Sequence, residues 1–306
     1  MPSRALRRLR FAGLGSLVLL NVVLISLLLT RPTPAVSDHE APSAASPAPA
    51  EVLEKTAPEP VSQASSDASE EQEEGLPSAE RVLVNVDATT AWRATVGDCT
   101  TPGTLERTVD GGRTWDVLPL ELAPVSRLRV LGAESLFAIG GGADCEPTYR
   151  SSSTAGSSWT TNDQYLDGSW YLLPDDRSVM AAPVGEIEAP CEAVDLAAFD
   201  AQNAAVLCAD ATLSVTEDGG ATWAAVQPEI MPAAIGLAGE GYVLAGAGDS
   251  CEGVAVSVVE TSGAPVEEPT CRDVEGSDDS ELAVAAAGGA LWLWVGEDVV
   301  VSPDGA

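Results

Sequence analysis

An all-β fold built from repeated antiparallel units is predicted by three observations. An eight-residue segment recurs as Thr108-Val-Asp110-Gly-Gly112-Arg-Thr114-Trp115, as Thr216-Glu-Asp218-Gly-Gly220-Ala-Thr222-Trp223, and in eroded form as Ser152-Ser-Thr154-Ala-Gly156-Ser-Ser158-Trp159. Strand-like residues flank the copies. Turn centres at Asp110, Thr154, Asp218, Gly263 and Asp304 lie 44, 64, 45 and 41 residues apart, near the roughly 40 to 50 residues of one small sheet unit in a repeat array.

Before the repeats, residues 1–10 carry Arg4, Arg7, Arg8 and Arg10, and residues 11–30 carry no charge. Such a run is long enough to span a bilayer. The arginines assign residues 1–10 to a cytoplasmic stub, residues 11–30 to an anchor helix, and the rest of the chain to the far side of the membrane. The rival reading is a cleaved signal peptide, for which Thr33-Pro34-Ala35 is the available small-residue site. Residues 31–80 are rich in Pro, Ala, Ser and Glu, lack aromatic residues, and hold the only histidine, His39, and the only lysine, Lys55. That composition predicts a disordered spacer, reaching up to about 150 Å if fully polyproline-like.

Residues 81–306 form the predicted extracytoplasmic domain, with 36 acidic residues against nine arginines. Like-charge repulsion argues against nucleic acid or anionic lipid as a partner and permits cationic partners. The surface acidity also keeps an exported protein soluble.

Around the first segment, residues 91–96 and 105–109 read as strands and 115–120 as the returning strand. Around the third, residues 204–208, 212–216 and 223–226 repeat that order. Weaker copies follow at 241–246 and 254–261, and at 291–295 and 299–302. A meander with a turn motif before its last strand is the unit of a β-propeller. The spacing predicts five or six blades, the long interval being either a rudimentary blade or an insertion over 165–188. The last copy stops at Asp304-Gly305 without a fourth strand, so closure requires a strand from elsewhere, with residues 81–86 as the candidate, or the ring stays open.

Asp-Gly favours hairpin turns because Gly adopts positive φ without steric cost and a short Asp side chain bonds nearby amides. Thr108, Thr216 and Ser152 can add a hydroxyl bond, and the closing Trp buries a ring beneath the turn. The pattern Ser/Thr-x-Asp-x-Gly-x-Thr-Trp resembles the Asp box of bacterial neuraminidase repeat proteins, a family with sialidases, sortilin-type receptors and photosystem II assembly factors among its members. The resemblance implies a propeller whose boxes lie on outer turns, away from the ligand face, and gives Asp110 and Asp218 no catalytic role.

Six cysteines in an exported domain predict disulfides. Cys99, Cys145 and Cys251 share similar contexts between second and third strands, Cys208 ends a second strand and Cys271 closes a fourth, which brings them to one side. The preferred pairing is Cys99 with Cys145, Cys191 with Cys208, and Cys251 with Cys271. A metal site is disfavoured, since there is no CxxC pair and no histidine after His39.

The domain lacks the His or Lys that nucleophile–base systems need. No catalytic residue, cofactor or metal is therefore assigned. A sialidase-like site needs three arginines and a Tyr–Glu pair. Arg93, Arg127, Arg129, Arg150 and Arg272 and Tyr149, Tyr171 and Tyr242 supply the residue types without the family's motif context. The acidic run Asp273-Val-Glu275-Gly-Ser-Asp278-Asp279 departs from EF-hand spacing and reads as a solvated turn. Trp292 and Trp294 share one strand face and read as core, with a carbohydrate platform as the alternative. The resulting expectation is a non-catalytic, membrane-tethered module that binds a protein or a cell-envelope glycan. A glycoside hydrolase using a carboxylate pair is the rival.

Overall fold

The computed structural model describes residues 75–274 and 281–303. The anchor, the spacer up to residue 74, Glu275 to Asp279, and the last turn at Asp304-Gly305 lie outside the described residues. Among the described residues, no helix is long and apolar enough to cross a membrane.

The chain forms successive antiparallel meanders. The first contains β1 (Arg81–Asn85), β2 (Ala91–Thr95), a small hairpin of β3 (Gly97–Asp98) and β4 (Thr101–Pro102), then β5 (Leu105–Thr108) and β6 (Asp116–Leu118), in the sheet order β1-β2-β5-β6. The second runs through β7 (Val125–Val130), β8 (Leu136–Gly141), β9 (Pro147–Ser152) and β10 (Thr160–Thr161). The third has only three strands, β11 (Tyr171–Leu172), β12 (Val179–Ala182) and β13 (Gly185–Glu188). The fourth is β14 (Ala193–Ala198), β15 (Ala204–Cys208), β16 (Leu213–Thr216) and β17 (Ala224–Val226).

The last two meanders share a seven-stranded sheet. It joins β18 (Met231–Ala238), β19 (Gly241–Gly248), β20 (Cys251–Glu260) and β21 (Thr270–Arg272) to β22 (Leu282–Ala287), β23 (Ala290–Val295) and β24 (Asp298–Ser302). One parallel bridge between Ala238 and Ala286 makes that junction. Among the described residues there are thus four complete four-stranded meanders and two of three strands, in a propeller-like arrangement.

The strand order follows from short turns, which keep sequential strands adjacent and antiparallel. The first strands of five meanders, β1, β7, β14, β18 and β22, line one central cavity. Apolar clusters fill the interfaces between neighbouring sheets. Leu207, Leu213 and Val215 of the fourth meander pack with Ile235, Tyr242 and Leu244 of the fifth. Leu83 and Ala91 of the first pack with Ala283, Trp292 and Trp294 of the last.

That last cluster revises the expected closure. Residues 81–85 are not a borrowed fourth strand for the final sheet, because β1 pairs with β2 in its own meander. Side chains join the two ends of the array instead. Arg81 donates to the carbonyls of Glu281, at 2.8 Å, and of Gly296, and Asn85 donates to those of Ala287 and Ala290 at 3.0 and 3.2 Å. The packed region also begins before residue 80, since the Leu76 amide bonds Ala209 O, the Ala79 amide bonds Val194 O, and Ala79 is buried.

Candidate functional site

The recurrent turns stand between third and fourth strands, as their spacing predicts. Asp110 accepts from the Thr108 hydroxyl at 2.8 Å, from the amides of Arg113 and Thr114 at 3.0 Å each, and from the Thr114 hydroxyl at 2.7 Å. These bonds hold the Asp110 carboxyl down at about 2. The Thr114 amide and hydroxyl are the foremost causes.

Asp218 accepts in the same way from Thr216 and Thr222. In the eroded copy the Thr154 hydroxyl accepts from the Ser158 amide at 3.0 Å, and the Gly156 amide bonds the Ser152 hydroxyl at 2.9 Å. All these donors and acceptors belong to the turns themselves.

The closing indoles pack beneath their turns, each against a buried apolar cluster, and Trp115 Nε1 donates to Gly112 O at 3.1 Å. Trp115, Trp159 and Trp223 are only half-buried. The fully buried indoles are Trp92, Trp170 and Trp292, and each reaches into the following meander. Trp92 Nε1 donates to Ala155 O at 3.0 Å, Trp170 Nε1 to Asp200 O at 2.9 Å, and Trp292 Nε1 to Asp87 O at 2.9 Å. The closing indoles lean on this inner set: Trp115 meets Trp292 edge-on at 6.3 Å, and Trp223 meets Trp170 edge-on at 6.0 Å. Trp292 and Trp294 are core, as their shared face indicates.

All six cysteines pair as preferred: Cys99–Cys145, Cys191–Cys208 and Cys251–Cys271, with Cα separations of 5.3, 5.7 and 5.4 Å. The first bridge ties meander one to meander two; the others are internal to meanders four and five. They lie at starts of first and third strands or ends of second and fourth strands, so they share the edge opposite the recurrent turns.

The central cavity, about 240 Å³, is the concave site common to the array. Its charged lining residues are Arg81, Arg127, Arg129 and Asp195. The third meander contributes none of the lining. At that place Arg127 and Arg129 reach from β7 to carbonyls on the far side. Arg127 donates to Trp170 O at 2.9 Å and Ala198 O at 3.3 Å, and Arg129 donates to Ala198 O at 3.0 Å and Phe199 O at 3.2 Å.

Burial, and then the neighbouring Arg129 charge, bring the Arg127 guanidinium down to about 9. Burial lowers Arg129 too, against the opposing pull of Asp200. Asp195 retains accessible surface in the cavity but is crowded by protein atoms. Burial lifts its carboxyl to about 6, offset in part by the Leu196 amide and by Arg177.

The other arginines with sialidase-like residue type are dispersed. Arg93 pairs with Glu106 at 2.7 Å and stacks on Trp115 and Trp294. Arg150 bonds the Thr161 hydroxyl, and Arg272 sits on β21. Tyr149 stacks on Phe137 at 5.0 Å, while Tyr171 and Tyr242 are buried. Burial raises all three phenols, the direction opposite to nucleophile activation.

No family model matches the sequence, and no match was found among curated proteins. Solved structures similar to the chain include YCF48 bound to D1 peptide (20% identity, 76% of this chain, 66% of that chain, TM-score 0.29). A mutant of the Aleuria aurantia lectin in complex with Fucalpha1-6GlcNAc is also similar (12% identity, 76% and 98% covered, TM-score 0.42). Another is a streptogramin B lyase (11% identity, 74% and 95% covered, TM-score 0.40). The chain spans about two thirds, 66%, of the YCF48 chain it matches.

Proposed function

We propose that this protein is a non-catalytic Asp-box propeller, tethered outside the cell membrane by residues 11–30, that binds a protein or cell-envelope glycan. The ligand sits at the central cavity or on the cysteine-bearing edge. One observation carries the reading: the charged lining of the cavity comprises three guanidinium groups and one carboxylate, Asp195. A carboxylate-pair hydrolase needs two acids about 5 to 10 Å apart around the bond to be cleaved. A rigid, cationic recess in a chain of net charge −32 is suited to holding a ligand.

Three bridges support an oxidising compartment, which agrees with the export signal read in residues 1–30. Crosslinking of the tethered protein in its own envelope tests the proposal. Recovery of one specific partner or glycan supports it. Scattered crosslinks count against it, and turnover of glycans by the purified protein overturns it.

A further inference from the structure

A second concave site lies away from the cavity, at the outer junction of the first two meanders. It is a cleft of about 230 Å³ lined by Pro119, Leu120, Glu121, Arg150 and Trp159. Pro119 to Glu121 belong to the link between β6 and β7, Arg150 is on β9, and Trp159 immediately precedes β10. Three chemistries meet there: a half-buried indole, a cation and an exposed carboxylate.

Arg150 and Glu121 have opposite charges on one cleft, yet they form no ion pair. Among the described residues the ion pairs are Arg81–Glu281 and Arg93–Glu106. Arg150 is held at one point, by its Nη1 bond to the Thr161 hydroxyl at 2.8 Å, and its Nε is buried without a partner. The two charged groups thus line one cleft without a direct pair, and the guanidinium has one arm fixed by Thr161. A cleft whose two opposite charges are not paired with each other suits a small polar molecule that bonds both.

The geometry points to a single sugar ring as that molecule. Adjacent hydroxyls would accept from Arg150 and donate to Glu121, both charge-assisted. The apolar C–H face of the pyranose would rest on the Trp159 ring, whose electron-rich face attracts polarised hydrogens. The volume is below the roughly 300 to 1,000 Å³ of sites for drug-sized ligands, which favours one residue of a glycan over an extended chain.

The test uses the full chain in a detergent without a sugar headgroup, titrated with methyl glycosides of glucose, galactose, mannose, fucose and N-acetylglucosamine. Saturation-transfer NMR and tryptophan fluorescence report binding. We expect at least one glycoside to bind saturably with Kd of about 0.1 to 10 mM. Glu121→Gln and Arg150→Gln each weaken it about tenfold or more, with circular dichroism unchanged. No binding by any glycoside up to about 50 mM, or equal binding by the variants, overturns the inference. Both substitutions lie outside the cavity lining, so ligand capture at the cavity is unaffected by them, and either site can fail without the other.

Discussion

Trp292 Nε1 lies 2.9 Å from the carbonyl oxygen of Asp87, joining the last meander of the chain to the first. The same device joins Trp92 to Ala155 and Trp170 to Asp200. A buried indole N–H normally has a partner, and these three find theirs in the next sheet, whereas Trp159 Nε1 and Trp223 Nε1 have none. Removing the bond while keeping an aromatic ring, as in Trp292→Phe, costs about 1 kcal/mol for the lost bond plus the orphaned carbonyl. Trp292→Ala costs about 3 to 5 kcal/mol. Denaturant unfolding of the oxidised protein checks both, and a Trp292→Phe protein as stable as the parent contradicts the closure described here.

Two turn glycines face these indoles, Gly112 toward Trp292 and Gly220 toward Trp170. At Gly220 the backbone has φ +92°, and an added Cβ would lie 3.0 Å from Trp170 and 3.1 Å from Ile187. At Gly132 nothing lies within 4 Å and φ is outside the left-handed region. We expect Gly220→Ala to cost upward of about 2 kcal/mol, and Gly132→Ala to stay within about 0.5 kcal/mol of the parent. Thermal unfolding of the two variants decides.

Asp110 is the clearest pH-dependent element of the scaffold. Its folded pKa, about 2, is below its ordinary value of 3.8. The stabilisation is therefore complete above about pH 4 and fades as pH falls toward 2. The stability difference between the parent and Asp110→Asn should be greatest at neutral pH and shrink over that interval when melting is followed at successive pH values. In the eroded turn, Thr154→Asp restores the second acceptor oxygen for the Ser158 hydroxyl. It should raise Tm at pH 7 by roughly 2 to 4 °C.

Asp195 behaves in the opposite sense. Its carboxyl is raised to about 6 in the folded state. Ionisation there opposes folding, so the penalty is absent below about pH 4 and is fully felt once pH passes 6. Asp195→Asn should match the parent near pH 4 and exceed it by roughly 1 to 3 kcal/mol at pH 8. Denaturant midpoints at those two pH values are the measurement, and a variant less stable at pH 8 contradicts the assignment.

The three bridges should differ in worth. Cys99–Cys145 closes a sequence separation of 46 residues, and Cys191–Cys208 closes one of 17. On loop entropy the longer is worth about 1 kcal/mol more. The paired serine variant at 99 and 145 should therefore melt below the paired variant at 191 and 208, as scanning calorimetry would show.

The strands that were legible in the sequence are mostly the second and third of each meander. Residues 204–208 and the Thr216 turn are examples, because β-branched and apolar runs end there in an Asp-Gly signal. Apart from β1, which falls within the candidate strand at 81–86, most first strands were hidden. β14 and β22 are alanine-rich, and β18 contains Pro232, since only small residues fit where the sheets converge on the axis. Such residues score poorly as strand formers. β7 was masked by Arg127 and Arg129, which stood out only as candidate ligand contacts, although in the fold they bond backbone carbonyls. The pairing of the cysteines was readable from position within the repeat. Trp92 and Trp170 were overlooked as interface residues, because nothing local distinguishes an indole aimed at the next sheet from one in its own.

The stretch of cavity wall built from Arg127 and Arg129 differs in kind from the rest. Elsewhere the lining comes from first strands held in ladders, with Arg81 and Asp195 as its charged residues. Between β7 and β14 two side chains do that work, so two codon changes can reset the polarity of the recess while every ladder survives. Specificity in such a molecule can diverge quickly on a skeleton that barely moves.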